Sequence, residues 1–498
     1  MNDQTLVIER SSEFPQRDQP AVPEPSSAPY RSRWSLVVSG ICAGILVAAL
    51  GAVLWFSVTL PKLQRFEDPD RALDLMVSRT LDAQDSFHRA PEWQQWLADW
   101  TMGSDDEARG QAIQWYRELV ETTDDPLSKL RLAILLGESG QESAALAEAN
   151  GWQDRGASAL LLRQLIDAAY GPQPLDRTQE TDLQATLAET LPSGWFYDHL
   201  AARLARRADN QDFQATVEAQ AILRENPVQQ WIRPLIAFEL MCLVVGSVLL
   251  VGVARLRGEQ MDILRLHGSG LPPAWSGGTA MAVILRGGAL GVVTTAVMLS
   301  SPSFQHASLR ALAIPLVNLP LLVLAYVQLL KPAGLTFTNG FGLGIKRDDL
   351  GRFACTILMV VAAGLWGEWV MGRAAEFLHL NNHWTEWFDQ DLVWGTPPVI
   401  AVSILEYVIF APIFEELVFR GLLFAMLRRR FAFLPAALIS TSLFALAHGY
   451  SLIGFISVLW SGFLWAWIYE RTGSLIPGMV AHAMNNLLVC LTVMALLR

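Results

Sequence analysis

The chain is short of charge, of cysteine and of basic excess. Only 17% of its 498 residues are Asp, Glu, Lys or Arg, against about 25% in a typical soluble domain. With 52% hydrophobic residues, that deficit excludes fibrous, collagen-like and wholly disordered chains and points to a membrane. A net charge of -11 without a dominant basic patch argues against nucleic-acid binding. The four cysteines (Cys42, Cys242, Cys355 and Cys490) each lie inside a hydrophobic run, with no CxxC or Cys/His zinc spacing. They exclude a disulfide framework and a thiolate zinc site and read as small apolar fillers.

What is present is organised in blocks. Residues 1–33 are polar and rich in proline, the composition of a disordered cytoplasmic tail. Residues 34–60 are an apolar run too long for a signal-peptide core, so they read as an uncleaved transmembrane anchor. Residues 61–230 hold 16 Lys/Arg against 29 Asp/Glu, so this block carries all of the net acidity and forms a separate soluble domain. Its Ala-, Leu-, Gln- and Glu-rich composition predicts helix, and Trp93, Trp96 and Trp100, at helical spacing, read as one helix's core face. Residues 231–349 supply additional transmembrane helices, and 350–498 hold the chemistry described below.

Beyond residue 235, the apolar runs at 235–254, 278–300, 309–330, 353–372, 398–424, 433–449, 452–470 and 475–497 are mostly about 20 residues long, enough to span a bilayer. Arg31 and Arg33, Arg255 and Arg257, Lys331 and Lys346, Arg428 to Arg430 and Arg471 fall in alternate connections. The positive-inside rule then gives about nine spans in the cell (inner) membrane, with the N-terminus cytoplasmic and the 61–230 domain extracytoplasmic. The fold class expected is all-α: a polytopic helical bundle with a helical extracytoplasmic domain inserted after the first helix.

Ionisable groups inside a span cost about 2.5–3.5 kcal/mol each on insertion scales, so each is a functional candidate by default. Glu415, Glu416 and Arg420 lie in one span. Glu416 and Arg420 are four apart with the acid first, and can pair on one helix face. Glu415 points about 100° away and has no obvious local partner, which leaves it as a candidate general base. His448 lies on the following helix, in register to face Glu415 across a hairpin whose apex falls near Arg428–Phe431. On the last helix His482 and Asn486 share a face at i, i+4, and both can donate hydrogen bonds to a developing oxyanion. Each cluster alone also fits structural pairing between helices. Helical rise sets His448 roughly 21 Å along its span and His482 roughly 12 Å along its own, so a tilted, shortened or broken helix must bring them to one depth.

Taken together, Glu415-Glu416-x-x-x-Arg420, Phe444-x-x-x-His448 and His482-x-x-x-Asn486 resemble the CPBP family of intramembrane proteases. That family is similar to type II CAAX prenyl endopeptidases and includes bacteriocin self-immunity proteins. Phe419-Arg420-Gly421 and the run Tyr469 to Leu475 also match, and the resemblance covers roughly 350–497. It implies that Glu415 activates water with His448 assisting, that Glu416 and Arg420 hold the helix face, and that His482 and Asn486 form the oxyanion pocket. The expected substrate is a membrane protein or lipidated peptide in the lipid bilayer. The expectation is no cofactor, with zinc on Glu415, His448 and His482 as the alternative.

The remaining candidates are weaker. His379-x-x-x-His383 has metal-ligand spacing but lies in a tryptophan-rich loop, and Gly340, Gly342 and Gly344 lack the context of a phosphate loop. Arg286 and Glu406 are both embedded and are expected to pair. The alternative function is a non-catalytic membrane scaffold or immunity factor that binds a partner through the 61–230 domain. A transporter would need the inverted repeats and broken helix pairs that the sequence does not show.

Overall fold

A computed structural model describes residues 33–96, 105–152, 157–256, 263–266, 271–301, 307–378, 380 and 383–498, and among them there is no strand. The helix α1, Arg33–Thr59, is followed by a helical domain: α2 Pro69–His88, α3 Asp105–Thr122, α4 Pro126–Glu138, α5 Glu142–Asn150, α6 Ala157–Tyr170, α7 Arg177–Thr190 and α8 Trp195–Arg207. Local sequence signals set the starts of several of these helices. Asp68 and Asp125 cap the backbone N–H groups of Arg71 and Ser128, each with proline at the first helical position. Asp176 and Gln179 form a reciprocal capping box at α7.

The next helix, α9 (Gln211–Ala254), runs 44 residues without a break. The composition boundary near residue 230 therefore falls inside one helix, which leaves the helical domain and becomes a span. The membrane unit continues with α10 Gly277–Ser300, α11 Ala313–Ala333, α12 Arg347–Phe377, α13 Pro397–Arg428, α14 Phe433–His448, α15 Leu452–Thr472 and α16 Ile476–Leu497. Among the described residues eight helices are long and apolar enough to cross a membrane, and α14, with 16 residues, is the shorter ninth. The chain is an integral, multi-pass membrane protein. Inside the bundle α9 lies along α12, where a Cβ on Gly246 would stand 2.2 Å from the Leu358 carbonyl oxygen. Small residues at such crossings let membrane helices approach closely.

Three expectations change. Trp93 and Trp96 are exposed (65% and 66%), so they form no core face; Trp100 lies outside the described residues. Arg286 does not pair with Glu406: it donates to the Ser35 hydroxyl and carbonyl oxygens on α1 at 2.7 and 2.9 Å. Glu406 instead faces Arg310 at 3.6 Å. Embedded charges find the nearest partner in space, and helix adjacency is not written in the linear sequence. His379 lies outside the described residues, and His383 hydrogen-bonds Glu118 of the helical domain at 2.9 Å. The Gly340–Gly344 segment is a packing element, its Phe341 and Gly342 carbonyls accepting from the Leu475 backbone and the Ser474 hydroxyl.

The helical domain has a polar latch in its core. His199 bridges Asp85 at 2.8 Å and Glu138 at 3.4 Å, stacked on Trp195. Burial alone would lower the His199 pKa, but the two carboxylates outweigh it and push it up to about 9. A folded-state pKa raised above the ordinary 6.5 adds stability that is complete below that value and is lost as pH rises through about 9. Thermal unfolding of the full-length protein should therefore show a midpoint falling from pH 6.5 to pH 9.5, and His199→Gln should flatten that slope. A wild-type midpoint independent of pH across this range would contradict the latch.

Candidate active site

Glu416 and Arg420 form the centre of the membrane unit. Both are fully buried, and the Arg420 Nη1 donates to Glu416 Oε1 at 2.8 Å. The guanidinium also lies over two aromatic rings, 4.3 Å from the Phe444 centroid and 5.1 Å from that of Trp465. A charge so deep needs such surroundings: an ion partner one helical turn away and π faces on α14 and α15. Gly462 on α15 leaves the room, since a Cβ there would stand 2.5 Å from Arg420 Nη2.

His482 on α16 completes the cluster. Its ring stacks on Trp465 at 3.9 Å, and its Nδ1 meets Glu416 Oε1 at 3.3 Å. Its Nε2 faces Glu415 Oε2 at 3.8 Å, longer than a hydrogen bond. Glu415 is thus not without a partner as the single-helix geometry suggested; the imidazole of another helix lies between the two adjacent carboxylates. At this point α13 changes from α to π winding, Ala411–Glu415 to Glu416–Phe424, a wide turn of the kind found at functional sites. Exposure separates the pair: the Glu415 side chain is 29% accessible and that of Glu416 1%.

His448 closes α14. Its Nδ1 bonds the Phe444 carbonyl oxygen at 2.8 Å, and its ring meets the Phe444 ring at 4.7 Å. A carbonyl only accepts, so Nδ1 carries a proton, and in the neutral tautomer this leaves the lone pair at Nε2. The Phe444 ring also lies 6.2 Å from His482, so one aromatic ring meets both histidines. The helix α15 is unbroken, and Phe444 meets Gly462 and Trp465, well beyond the residues that a plain antiparallel hairpin would bring opposite it.

Asn486 keeps its place one turn from His482, and its Nδ2 donates to the Tyr407 carbonyl oxygen at 2.9 Å. Tyr407 lies in a first π segment of α13, Leu405–Phe410. One amide N–H of Asn486 is thereby committed, and the second remains for another acceptor. Among the described residues no group of three or more His, Cys, Asp or Glu side chains converges as metal ligands would. Gly462, Trp465 and Tyr407 have no local signature, because each acts on a residue of another helix.

Residues 397–488 match the Rce1-like family, described as type II CAAX prenyl endopeptidase Rce1-like. The matched stretch holds all six residues from Glu415 to Asn486, and the helical domain and α1 to α12 lie outside it. Comparison with curated proteins and with solved structures returned no match.

Gly462→Ala should force the Arg420 guanidinium from its slot, at a cost of about 1–3 kcal/mol for overpacking. The thermal midpoint of the purified protein should fall, while alanine at the open Gly364, with nothing within 4 Å of its Cβ, should leave it unchanged. Equal midpoints for Gly462→Ala and wild type would show that Arg420 does not need the space.

Proposed function

We propose that this protein is an intramembrane endopeptidase of the CAAX-protease type, hydrolysing a peptide bond in a membrane-embedded or lipidated substrate. The observation that carries the reading is the set of polar groups around His482. An accessible Glu415 stands beside a sealed Glu416–Arg420 pair, with the Phe444 ring against both His448 and His482 and Asn486 one turn along from His482. The match to the Rce1-like family over the same stretch supports it.

In this reading Glu415 takes a proton from water, whose oxygen attacks the scissile carbonyl carbon. His448, with its Nε2 lone pair, orients that water. The carbonyl oxygen becomes an oxyanion, and the donors are the second Asn486 N–H and the Nε2–H that His482 carries as an imidazolium, its Nδ1–H being given to Glu416. The proton held by Glu415 passes to the leaving nitrogen as the C–N bond breaks. Glu416 and Arg420 fix the His482 ring by its Nδ1 side and touch no reacting atom. In this reading the N-terminus is cytoplasmic and the helical domain outside, an orientation that the alternating basic connections support.

General acid–base groups contribute about 100- to 10,000-fold. Glu415→Gln and His448→Ala should each reduce cleavage of a quenched fluorescent prenylated peptide within that range, with wild-type thermal midpoints. Wild-type cleavage rates in both purified variants would overturn the proposal and favour a scaffold acting through the helical domain. The role of metal is decided separately, by cleavage after exhaustive chelation. Retained activity agrees with water activation by Glu415 alone, whereas loss restored by zinc would recast Glu415, His448 and His482 as ligands.

A further inference from the structure

The segment between α12 and α13 is more than a connection. Residues 383–394 form a strap whose carboxylates reach two elements of the site. Glu386 receives both the hydroxyl of Ser451, at 2.9 Å, and its backbone N–H, at 3.2 Å. Ser451 belongs to the turn that follows His448, where Gly449 takes a left-handed conformation (φ 65°) to end α14. Asp389 receives the Tyr407 hydroxyl at 2.8 Å, while its other oxygen caps the Leu392 N–H at 2.9 Å. The carbonyl of the same Tyr407 holds Asn486. In the same turn as Ser451 the Tyr450 ring meets that of His448 at 5.6 Å.

The other face of the strap belongs to the helical domain. His383 bonds Glu118 of α3, the buried Trp384 and Phe388 rings meet Phe66 at 4.9 and 5.6 Å, and Arg71 of α2 lies over Trp394 at 4.8 Å. The hydrophobic core of the domain continues through these rings into α13 and α16. The strap and the domain both lie outside the family match, so nothing carried by the matched helices accounts for them.

We infer that residues 383–394 are the positioning element of the site: Glu386 sets the turn behind His448, Asp389 through Tyr407 sets Asn486, and the helical domain holds the strap in place. The inference rests on the hydrolytic reading for its consequence and on geometry for its substance. Neither carboxylate touches the reacting atoms; each acts through one residue. Their removal should slow the chemical step without weakening substrate binding, because the nucleophile-activating and oxyanion groups lose alignment while the membrane-facing surfaces stay intact.

The test uses the full-length protein in lipid nanodiscs, with Glu386→Ala, Glu386→Gln, Tyr407→Phe and, as a control away from the site, Arg373→Ala. Two readouts are taken: backbone hydrogen exchange, and kcat and KM on the quenched prenylated peptide. Glu386→Ala should speed exchange in residues 449–455 at least tenfold, and Tyr407→Phe should do the same in 482–488. Both should lower kcat about tenfold or more at a KM within twofold of wild type, and Glu386→Gln, which keeps one acceptor, should recover part of the loss. Unchanged exchange in these segments, or a raised KM at wild-type kcat, overturns the inference. Glu415→Gln in the same assay separates the two questions: if it cleaves like wild type the hydrolytic reading falls, and the exchange data alone still decide whether the strap positions the site.

Discussion

The Glu416–Arg420 pair is the constraint around which the membrane unit is arranged. A guanidinium with no exposed surface in an apolar bundle cannot be left alone. Its carboxylate partner answers one edge, and the Phe444 and Trp465 rings answer its faces. Those contacts fix three helices at once: α13 carries the pair, α14 and α15 carry the rings, and Gly462 sets how closely α15 approaches. The Phe444 ring that covers the guanidinium also meets both His448 and His482. Breaking such a pair costs more than the pair itself contributes, because the surviving charge is stranded.

From that frame the division between the two adjacent glutamates becomes intelligible. Glu416 is committed, bonded to Arg420 and held against His482 Nδ1. Glu415, one residue earlier, is accessible and stands 3.8 Å from the other nitrogen of the same imidazole. One ring therefore links a structural carboxylate to an open one. The π segments of α13 add to this: one carries Tyr407, which holds Asn486, and the other begins at Glu416.

Much of this was legible in the sequence. The apolar runs announced the spans, and the pairing of Glu416 with Arg420 followed from their spacing on one helix. Local periodicity settles what happens within a helix. It does not settle which helices touch. Arg286 and Glu406 were therefore expected to meet and instead found Ser35 and Arg310. Trp93 and Trp96 fitted a core stripe but are exposed. His383 suggested a metal ligand from its spacing, whereas it joins the strap to the helical domain through Glu118. The partners of Glu386 and Asp389 lie 65 and 18 residues away in the chain, beyond the reach of local periodicity.

On the proposed reading, Glu415 is the group that makes this assembly an enzyme. Its most direct test compares new protein termini in the membrane proteome of cells carrying wild-type protein or Glu415→Gln at matched expression. Termini that depend on the wild-type protein and vanish with Glu415→Gln are predicted, and they would identify the substrate together with its cleavage site. Identical termini in both, under conditions where the protein has a measurable phenotype, would contradict the account.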